Sequence, residues 1–305
     1  MAERYSLLIC DDEPGTRAGL RDSVDWAALG IVVLGTAANG EEALDLVSQC
    51  SPDIILSDVR MPFMDGLEMA AVLQKMGFGG KLVFMSAYGE VEYLKAAMQV
   101  EALDYILKPV APAELSEVMA RVCRRIDADR KREDLYRQSL GMLRERFLLR
   151  LATGGAGEIA DLSGQLAELE LGLDAAEDIM AILVSADAAE AADGGWEQVW
   201  QTAEACRHFF GDGDRVVFAS LANGDLVGLL PMADIPGRDS AALAESLRER
   251  LGIGMRGSMT IACGPVVRGL GEFRRSAEQA RLNLSRRSYL GDDQVIPADY
   301  AEHTD

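Results

Sequence analysis

The chain has 305 residues and a formal net charge of −20, from 30 basic and 50 acidic side chains. Hydrophobic residues make up 49% of it and charged residues 26%, a globular composition that excludes a disordered chain. The length predicts two domains. No uncharged apolar run approaches the ~18 residues of a membrane-spanning helix, and no signal-peptide core precedes Asp11. We therefore expect a cytoplasmic protein without membrane contact.

Charge is distributed unevenly along the chain. Residues 1–120 carry −11, residues 121–150 carry +5 and residues 151–305 carry −14. Strongly acidic segments repel a phosphate backbone, so neither large segment is expected to bind nucleic acid. The basic strip at 121–150 also permits a DNA contact, but we favour a solvated helix face. The five cysteines form no CxxC pair, and with two histidines they provide no zinc-binding set.

The first 120 residues alternate apolar, β-rich runs with amphipathic stretches, which predicts a parallel sheet wrapped by helices. Strands are predicted at residues 7–10, 31–36, 54–57, 82–85 and 105–107. Helices are predicted at about residues 16–27, 40–49, 66–76, 90–100 and from 112 onward. This order is that of a doubly wound (βα)5 domain, in which functional groups gather beyond the carboxyl ends of the strands.

The last of these helices is expected to continue past the domain edge. Apolar residues fall on a 4,3 spacing at Leu115, Met119, Val122, Ile126, Tyr136, Leu140, Leu143 and Phe147. This spacing is typical of a signalling helix or coiled coil. It is equally consistent with two amphipathic helices in succession, each packed on its own domain. Glycines at 154, 155 and 157 are expected to end the helix.

Residues beyond those glycines predict a second α/β unit. Its strands are predicted at residues 179–184, 216–220, 226–230 and 259–263, and its helices at 196–210, 241–251 and 270–289. Asn223 and Gly224 are typical of a tight hairpin turn between the second and third of these strands. The order of the elements indicates a small antiparallel sheet covered by helices.

Acidic side chains follow two strands of the first domain. Asp11 and Asp12 follow the first strand, and Asp58 follows the third. These strands are neighbours at the switch point of a doubly wound sheet, so three carboxylates are expected to converge. Mg²⁺ would offset their repulsion, because it prefers oxygen ligands. Alternatively, acidic residues at such positions cap the helices that follow.

The ends of the fourth and fifth predicted strands also carry polar groups. Ser86 follows the fourth strand and Lys108 follows the fifth. A hydroxyl, a lysine and a metal around one carboxylate are what phosphoryl transfer to an aspartate requires, with the carboxylate as nucleophile. Taken singly, Ser86 is also consistent with a helix cap, Lys108 with a surface charge and Tyr105 with a core aromatic.

Residues 1 to about 125 resemble the receiver domain of two-component response regulators. The residues that carry the resemblance are Asp11, Asp12 and Glu13, the run from Ser57 to Pro62 with Asp65 and Gly66, Ser86, and the run from Asp104 to Pro109. The resemblance implies that Asp58 is the phosphoacceptor and that Ser86 and Lys108 contact the phosphoryl group. It also implies that Tyr105 is an aromatic switch residue, paired in that role with Ser86.

The same resemblance implies a cofactor and a backbone feature. Asp12, Asp58 and the carbonyl of Arg60 would bind Mg²⁺, with Asp11 acting through water. The bond between Lys108 and Pro109 is expected to be cis, as is frequent in this family.

Further residues extend the resemblance to nearly the whole chain. They are Asp25, residues 26–30, Glu92, Tyr93 and residues 259–291. They resemble regulators that place a degenerate GGDEF-like domain between the receiver and a C-terminal AraC-type helix-turn-helix. The chain ends at Asp305, where those DNA-binding helices would begin. DNA binding is therefore expected only through a helix-turn-helix absent from this chain.

The resemblance also bears on catalysis by the second unit. Residues 223–227 occupy the place of the cyclase motif, with Leu226 where that family has a metal-binding acid. Ser185, Ala186 and Asp187 stand where an active cyclase has an Asp, apolar, Asp run. Because metal-dependent cyclisation needs those carboxylates, we expect a catalytically silent module for dimerisation or ligand binding.

We therefore expect three parts: a flavodoxin-like receiver at 1–125, a helical linker or coiled coil at 126–153, and a degenerate GGDEF-like (ferredoxin-like) domain at 154–305. The expected function is that of a response regulator, phosphorylated on Asp58 by a sensor histidine kinase with Mg²⁺. We expect a homodimer that controls transcription through an output domain outside this chain. The alternatives are a receiver-controlled nucleotide cyclase and a protein-interaction adaptor that does not bind DNA.

Overall fold

The computed structural model describes residues 5–87, 104–154, 161–186, 195–211, 214–235, 239–254 and 258–299. The chain forms two compact units, Met1–Leu135 and Tyr136–Asp305. Within the described ranges, no helix combines the length and the apolar character that crossing a bilayer requires.

The first unit is built on a parallel sheet of five strands. In chain order these are β1 (Tyr5–Cys10), β2 (Ile31–Ala37), β3 (Ile54–Asp58), β4 (Lys81–Ala87) and β5 (Asp104–Lys108). Their spatial order is β2-β1-β3-β4-β5, and every neighbouring pair is parallel. Alternate residues enter opposite cores: Leu7 and Ile9 lie in one, and Leu8 and Cys10 in the other. The predicted doubly wound sheet is confirmed.

Three short helices connect these strands: α1 (Pro14–Ser23), α2 (Gly40–Cys50) and α3 (Gly66–Lys75). Helix α1 ends four residues before the predicted end at 27, and a 3-10 turn at Ala27–Leu29 follows. Asp65 caps α3 in a capping box with Glu68, which fixes where that helix begins. The helix predicted at about residues 90–100 lies outside the described residues.

A 42-residue helix, α4 (Pro112–Thr153), contributes to both units. Leu115, Met119, Val122 and Ile126 are buried in the core of the first unit. Leu140 and Phe147 are buried in the core of the second. Tyr136 and Leu143 are half exposed, at 50% and 53%. The 4,3 spacing therefore includes positions packed in each unit and half-exposed positions within one helix, and the chain divides at 135/136, inside the segment predicted as a helical linker or coiled coil at 126–153.

Ion pairs hold parts of the basic strip of α4 against the body of each unit. In the first unit, Arg130 lies 2.5 Å from Asp53. In the second, Arg144 lies 2.9 Å from Asp214 and also donates to the carbonyl of Leu169 at 2.8 Å. These arginines therefore have structural partners within their own units.

The second unit contains a mixed sheet covered by helices. Its strands are β6 (Asp178–Ala186), β7 (Val217–Ser220), β8 (Leu226–Pro231), β9 (Met259–Cys263), β10 (Val267–Arg268) and β11 (Val295–Ile296). The order is β11-β9-β6-β8-β7, with β10 paired to β6. The pairs are antiparallel except β11 with β9.

The helices of the second unit are α5 (Leu162–Glu168), α6 (Gly195–Phe210), α7 (Ser240–Gly254), α8 (Phe273–Ser285) and α9 (Arg287–Leu290). The single helix predicted at 270–289 is three elements: a 3-10 turn at Leu270–Glu272, then α8, then α9. Helix α5 and the two-residue strands β10 and β11 were not predicted, because they are too short for a periodic signal.

Candidate active site

Three carboxylates converge at the carboxyl ends of β1 and β3. Asp11, Asp12 and Asp58 each offer a carboxylate oxygen, and these oxygens lie within 4.8 Å of one another. They meet because β1 and β3 are neighbours, with Cys10 aligned to Ser57. Asp11 is fully buried, Asp58 is partly buried and Asp12 is exposed. The cluster is therefore anchored at one side and open to solvent at the other.

Lys108, from the end of β5, joins two of these carboxylates. Its Nζ atom donates to Oδ2 of Asp11 at 2.8 Å and to Oδ2 of Asp58 at 2.5 Å. The peptide bond between Lys108 and Pro109 is cis. The surface-charge interpretation of Lys108 is therefore wrong.

Burial and charge act in opposite directions at this contact. Burial raises the pKa of the Asp58 carboxyl above its ordinary value, although Lys108 partly opposes the shift. Burial alone would lower the pKa of Lys108, but its bonds to Asp11 and Asp58 outweigh that effect and raise it. Lys108 therefore carries its proton at neutral pH. Three carboxylates and one ammonium leave two negative charges, which one divalent cation would balance, and their oxygens suit Mg²⁺.

Asp11 serves both the fold and the cluster. Its Oδ1 atom accepts a hydrogen bond from the backbone N–H of Glu13 at 2.9 Å, while Oδ2 faces Lys108. Glu13 is the N-cap residue of α1, and no side-chain hydrogen bond caps that helix, so Oδ1 of Asp11 closes a turn before the helix and does not cap it. Its carbonyl oxygen accepts from the guanidinium of Arg17 at 2.5 Å. Arg17 was not singled out in the sequence, since nothing in its spacing distinguishes it from a solvated helix charge.

The backbone around Asp58 is fixed from several sides. Its carbonyl oxygen accepts a hydrogen bond from the hydroxyl of Ser57 at 2.8 Å. Its Oδ1 atom receives the backbone N–H of Arg60 at 3.4 Å, which is a weak contact. A Cβ atom at Gly66 would collide with the Asp58 carbonyl oxygen. Glycine is thus required where α3 begins, because the helix passes directly against the carboxylate-bearing residue.

Ser86 and Tyr105 lie on the strands beside the cluster. Ser86 is 8% exposed near the end of β4, where its neighbour Ala87 is aligned with Lys108. Phe84 is aligned with Tyr105, so Tyr105 and Ser86 point to the same face of the sheet. Tyr105 is 44% exposed. It is therefore not the buried core aromatic that the sequence also permitted.

In the second unit, the position that holds a metal-binding acid in the cyclase motif is occupied by a buried leucine. Leu226 is 1% exposed and lies in a core cluster with Phe218. Gly224, with φ of 87°, forms the hairpin turn, as predicted. The hydroxyl of Ser185 accepts a hydrogen bond from Arg287 at 2.9 Å. Asp187 lies outside the described residues.

Family models match both units. Residues 7–120 match the response regulator receiver domain, and residues 153–285 match the GGDEF-like domain. The transcriptional regulatory protein HptR of Staphylococcus aureus is 34% identical over 120 residues, which are 39% of this chain and 47% of that protein. An uncharacterized response regulatory protein of Staphylococcus epidermidis is 33% identical over 122 residues, 40% of this chain and 48% of that protein. The chain spans about half the length of these curated relatives.

Two solved structures resemble the first unit. The receiver domain of AraT, a response regulator from Geobacillus stearothermophilus, is 33% identical and covers 41% of this chain and 98% of its own, with a TM-score of 0.40. A two component transcriptional regulator AraC from Clostridium phytofermentans is 36% identical and covers 40% of this chain and 94% of its own, with a TM-score of 0.38. Residues 7–120 thus form a response regulator receiver domain, related to transcriptional regulators, and residues 153–285 form a GGDEF-like domain.

Proposed function

We propose that the protein is a cytoplasmic two-component response regulator in which Asp58 accepts a phosphoryl group from a sensor histidine kinase. The observation that carries this proposal is the contact of the Lys108 ammonium with Asp58 inside a cluster of three carboxylates. A carboxylate held by a fixed cation in a partly buried site is oriented for attack and has compensation for the incoming negative charge.

In the proposed step, a carboxylate oxygen of Asp58 attacks the phosphorus of a phosphohistidine. A P–O bond forms and the P–N bond breaks. The electron pair of the broken bond returns to the imidazole nitrogen, which takes up a proton. Lys108 and the hydroxyl of Ser86 contact the phosphoryl oxygens. Asp12, Asp58 and the Arg60 carbonyl would hold Mg²⁺, with Asp11 acting through water, and the ion would supply positive charge to those oxygens.

Labelling with a small phosphodonor tests this assignment. Incubation with acetyl phosphate and Mg²⁺ is expected to add one phosphoryl group to the unaltered chain, as measured by intact mass. Asp58→Asn and chelation of Mg²⁺ are both expected to abolish the label. Asp45→Asn, at an exposed position on α2, is the matched control and keeps full labelling. A fully labelled Asp58→Asn protein contradicts the assignment.

We further propose that phosphorylation is transmitted through Ser86 and Tyr105 and promotes homodimer formation. The position of both side chains on one face of the sheet supports this route. Control of transcription would then follow, in keeping with the name of the S. aureus relative, and we propose a helix-turn-helix of AraC type as the output domain. Light scattering with and without a beryllofluoride phosphoryl mimic tests the dimer step. An unchanged mass contradicts it.

For the GGDEF-like domain we propose a binding or dimerisation role without cyclase activity. The burial of Leu226 in a hydrophobic core supports this proposal, because a buried leucine supplies no oxygen ligand to a metal ion. The test is incubation of the purified chain with GTP and Mg²⁺ or Mn²⁺, followed by chromatography of the nucleotides. Metal-dependent formation of a cyclic dinucleotide would favour the alternative of a receiver-controlled cyclase.

A further inference from the structure

Buried side chains and hydrogen bonds hold the loop that follows Asp58 in place on both sides of Phe63. Val59 and Met61 are 2% and 9% exposed, and both lie in one hydrophobic core. The carbonyl of Met64 accepts a hydrogen bond from the backbone N–H of Gly40 at 2.9 Å. Asp65 then caps helix α3. The loop is therefore a fixed part of the receiver and its conformation is set on both sides of Phe63.

Phe63 is the large apolar residue of this loop whose side chain the fold leaves in solvent. It is 86% exposed, more than any other large hydrophobic side chain in the part of the chain that the structure describes. A ring with this exposure gains almost nothing from burial. It also leaves an apolar surface in water, in the loop that begins at Asp58.

The backbone conformation of Phe63 is also unfavourable in free energy for a residue of this size. Its φ angle is +67°, in the left-handed region. Bulky residues rarely adopt that conformation, whereas glycine and asparagine do so readily. Stability alone would therefore favour a small residue here. Strained conformations that the fold does not need are concentrated at functional sites, so the ring is expected to contribute to function.

The surroundings of Phe63 indicate what kind of partner the ring meets. It stands five residues after Asp58, in the loop that leaves the carboxyl end of β3. The loop after β1, with exposed Asp12 and Glu13, leaves the same edge of the sheet, because β1 and β3 are parallel neighbours. Arg60 and Pro62 of its own loop are exposed too. An aromatic anchor within a polar and charged rim is the usual arrangement of a protein–protein contact. A donor must approach this edge of the sheet to reach Asp58, whose side chain is only 14% exposed.

We propose that Phe63 is a docking residue for the protein that delivers the phosphoryl group, its ring packing on an apolar patch beside the phosphohistidine of that donor. The inference rests on the proposed function of Asp58. In this proposal Phe63 recognises the donor protein and takes no part in the chemistry at the carboxylate. A small donor such as acetyl phosphate has no surface for the ring to contact.

Comparison of the two kinds of donor tests the proposal. The protein donor is a histidine kinase core, autophosphorylated with ATP and chosen as the one that transfers fastest to the unaltered chain. Phe63→Asn removes the ring and suits the left-handed backbone. It is expected to slow transfer from the kinase about tenfold at limiting receiver concentration, with acetyl phosphate labelling unchanged. Phe63→Tyr keeps a ring and is expected to retain transfer. Met76→Asn, at an exposed apolar position on the same unit, is the matched control.

A stability measurement accompanies the kinetics. Because asparagine fits the backbone better, Phe63→Asn is expected to unfold at the same or a higher temperature than the unaltered chain, so that slower transfer is not a folding defect. Equal slowing with both donors would overturn the proposal, because the residue would then act on the chemistry. Unchanged kinase transfer in Phe63→Asn would overturn it too, as would a chain that acetyl phosphate labels but no kinase does. Failure of acetyl phosphate to label the unaltered chain would instead refute the proposed function itself.

Discussion

The Nζ atom of Lys108 lies 2.5 Å from Oδ2 of Asp58, although 50 residues separate the two in the chain. The contact is a consequence of strand order: β3 and β5 flank β4, and all three strands are parallel, so their carboxyl ends reach the same edge of the sheet. One ammonium group then offsets part of the repulsion between carboxylates that the fold brings together. This arrangement leads to two experiments on the site.

The first experiment removes the ammonium group. In Lys108→Met the three carboxylates lose their fixed counter-charge, so Mg²⁺ is expected to bind more tightly, by about tenfold in Kd. Labelling by acetyl phosphate is expected to slow by about tenfold or more, because no cation meets the phosphoryl oxygens. Calorimetric titration with Mg²⁺ and intact-mass kinetics measure the two effects. Lys75→Met, at an exposed position at the end of α3, serves as control. Weaker Mg²⁺ binding in Lys108→Met would refute this electrostatic account.

The second experiment concerns the exposed carboxylate. Mg²⁺ that binds the folded state raises its stability by mass action, by about 2.7 kcal/mol at a concentration of 100 Kd. Asp12→Asn removes a proposed ligand and some of the repulsion between the carboxylates. We therefore expect it to reduce the rise in unfolding temperature that Mg²⁺ produces, and to leave the metal-free protein no less stable. Thermal unfolding with Mg²⁺ and with EDTA measures both quantities, with Asp45→Asn as control. If Asp12→Asn responds to Mg²⁺ as the unaltered chain does, Asp12 is not a ligand.

The sequence was sufficient for the parts of the fold that depend on local pattern. Apolar, β-rich runs predicted all five strands of the first unit. The central strands β1 and β3 show the reason most clearly, because a strand buried on both faces needs apolar residues at nearly every position. The convergence of Asp11 with Asp58 followed from a general rule of strand order and needed no side-chain detail. Both predictions rest on regularities that hold for any doubly wound sheet.

Other features depend on tertiary contacts that a single sequence does not encode locally. The 4,3 spacing in α4 identified apolar positions but not the surface that covers each one, so Tyr136 and Phe147 looked equivalent although one is exposed and the other buried. The positive φ of Phe63 is imposed by its neighbours in the loop, which burial and hydrogen bonds hold in place. The bond from Arg17 to the carbonyl of Asp11 depends on how α1 lies against β1. None of these leaves a periodic signal.

The packing of α4 in the second unit gives a direct experiment on two leucines three residues apart. Leu140 is 8% exposed and lies in the core of that unit, whereas Leu143 is 53% exposed. We expect Leu140→Ala to lower the free energy of unfolding by about 2–4 kcal/mol and Leu143→Ala to change it by less than about 0.5 kcal/mol. Urea unfolding followed by circular dichroism measures both. Equal losses would mean that the helix is rotated from the described packing, or that Leu143 is covered in solution by another chain.

Buried thiols make the stability of the second unit sensitive to alkaline pH. Burial raises the pKa of both Cys206 and Cys263 from 9.0 to about 12. The folded state thus holds these protons more tightly than the unfolded chain does. Their contribution to stability is complete below pH 9 and is lost progressively as pH rises from 9 towards 12. Above pH 9 the loss is on the order of 1 kcal/mol per pH unit for each thiol.

Urea unfolding at pH 8 and pH 10 measures this loss. We expect the unaltered chain to be less stable at pH 10, and Cys206→Ala to show a smaller difference between the two pH values, because alanine has no proton to release. Cys50→Ser changes an exposed thiol on the first unit and is expected to leave the difference unchanged. If Cys206→Ala and the unaltered chain lose equal stability between pH 8 and pH 10, groups other than this buried thiol cause the loss.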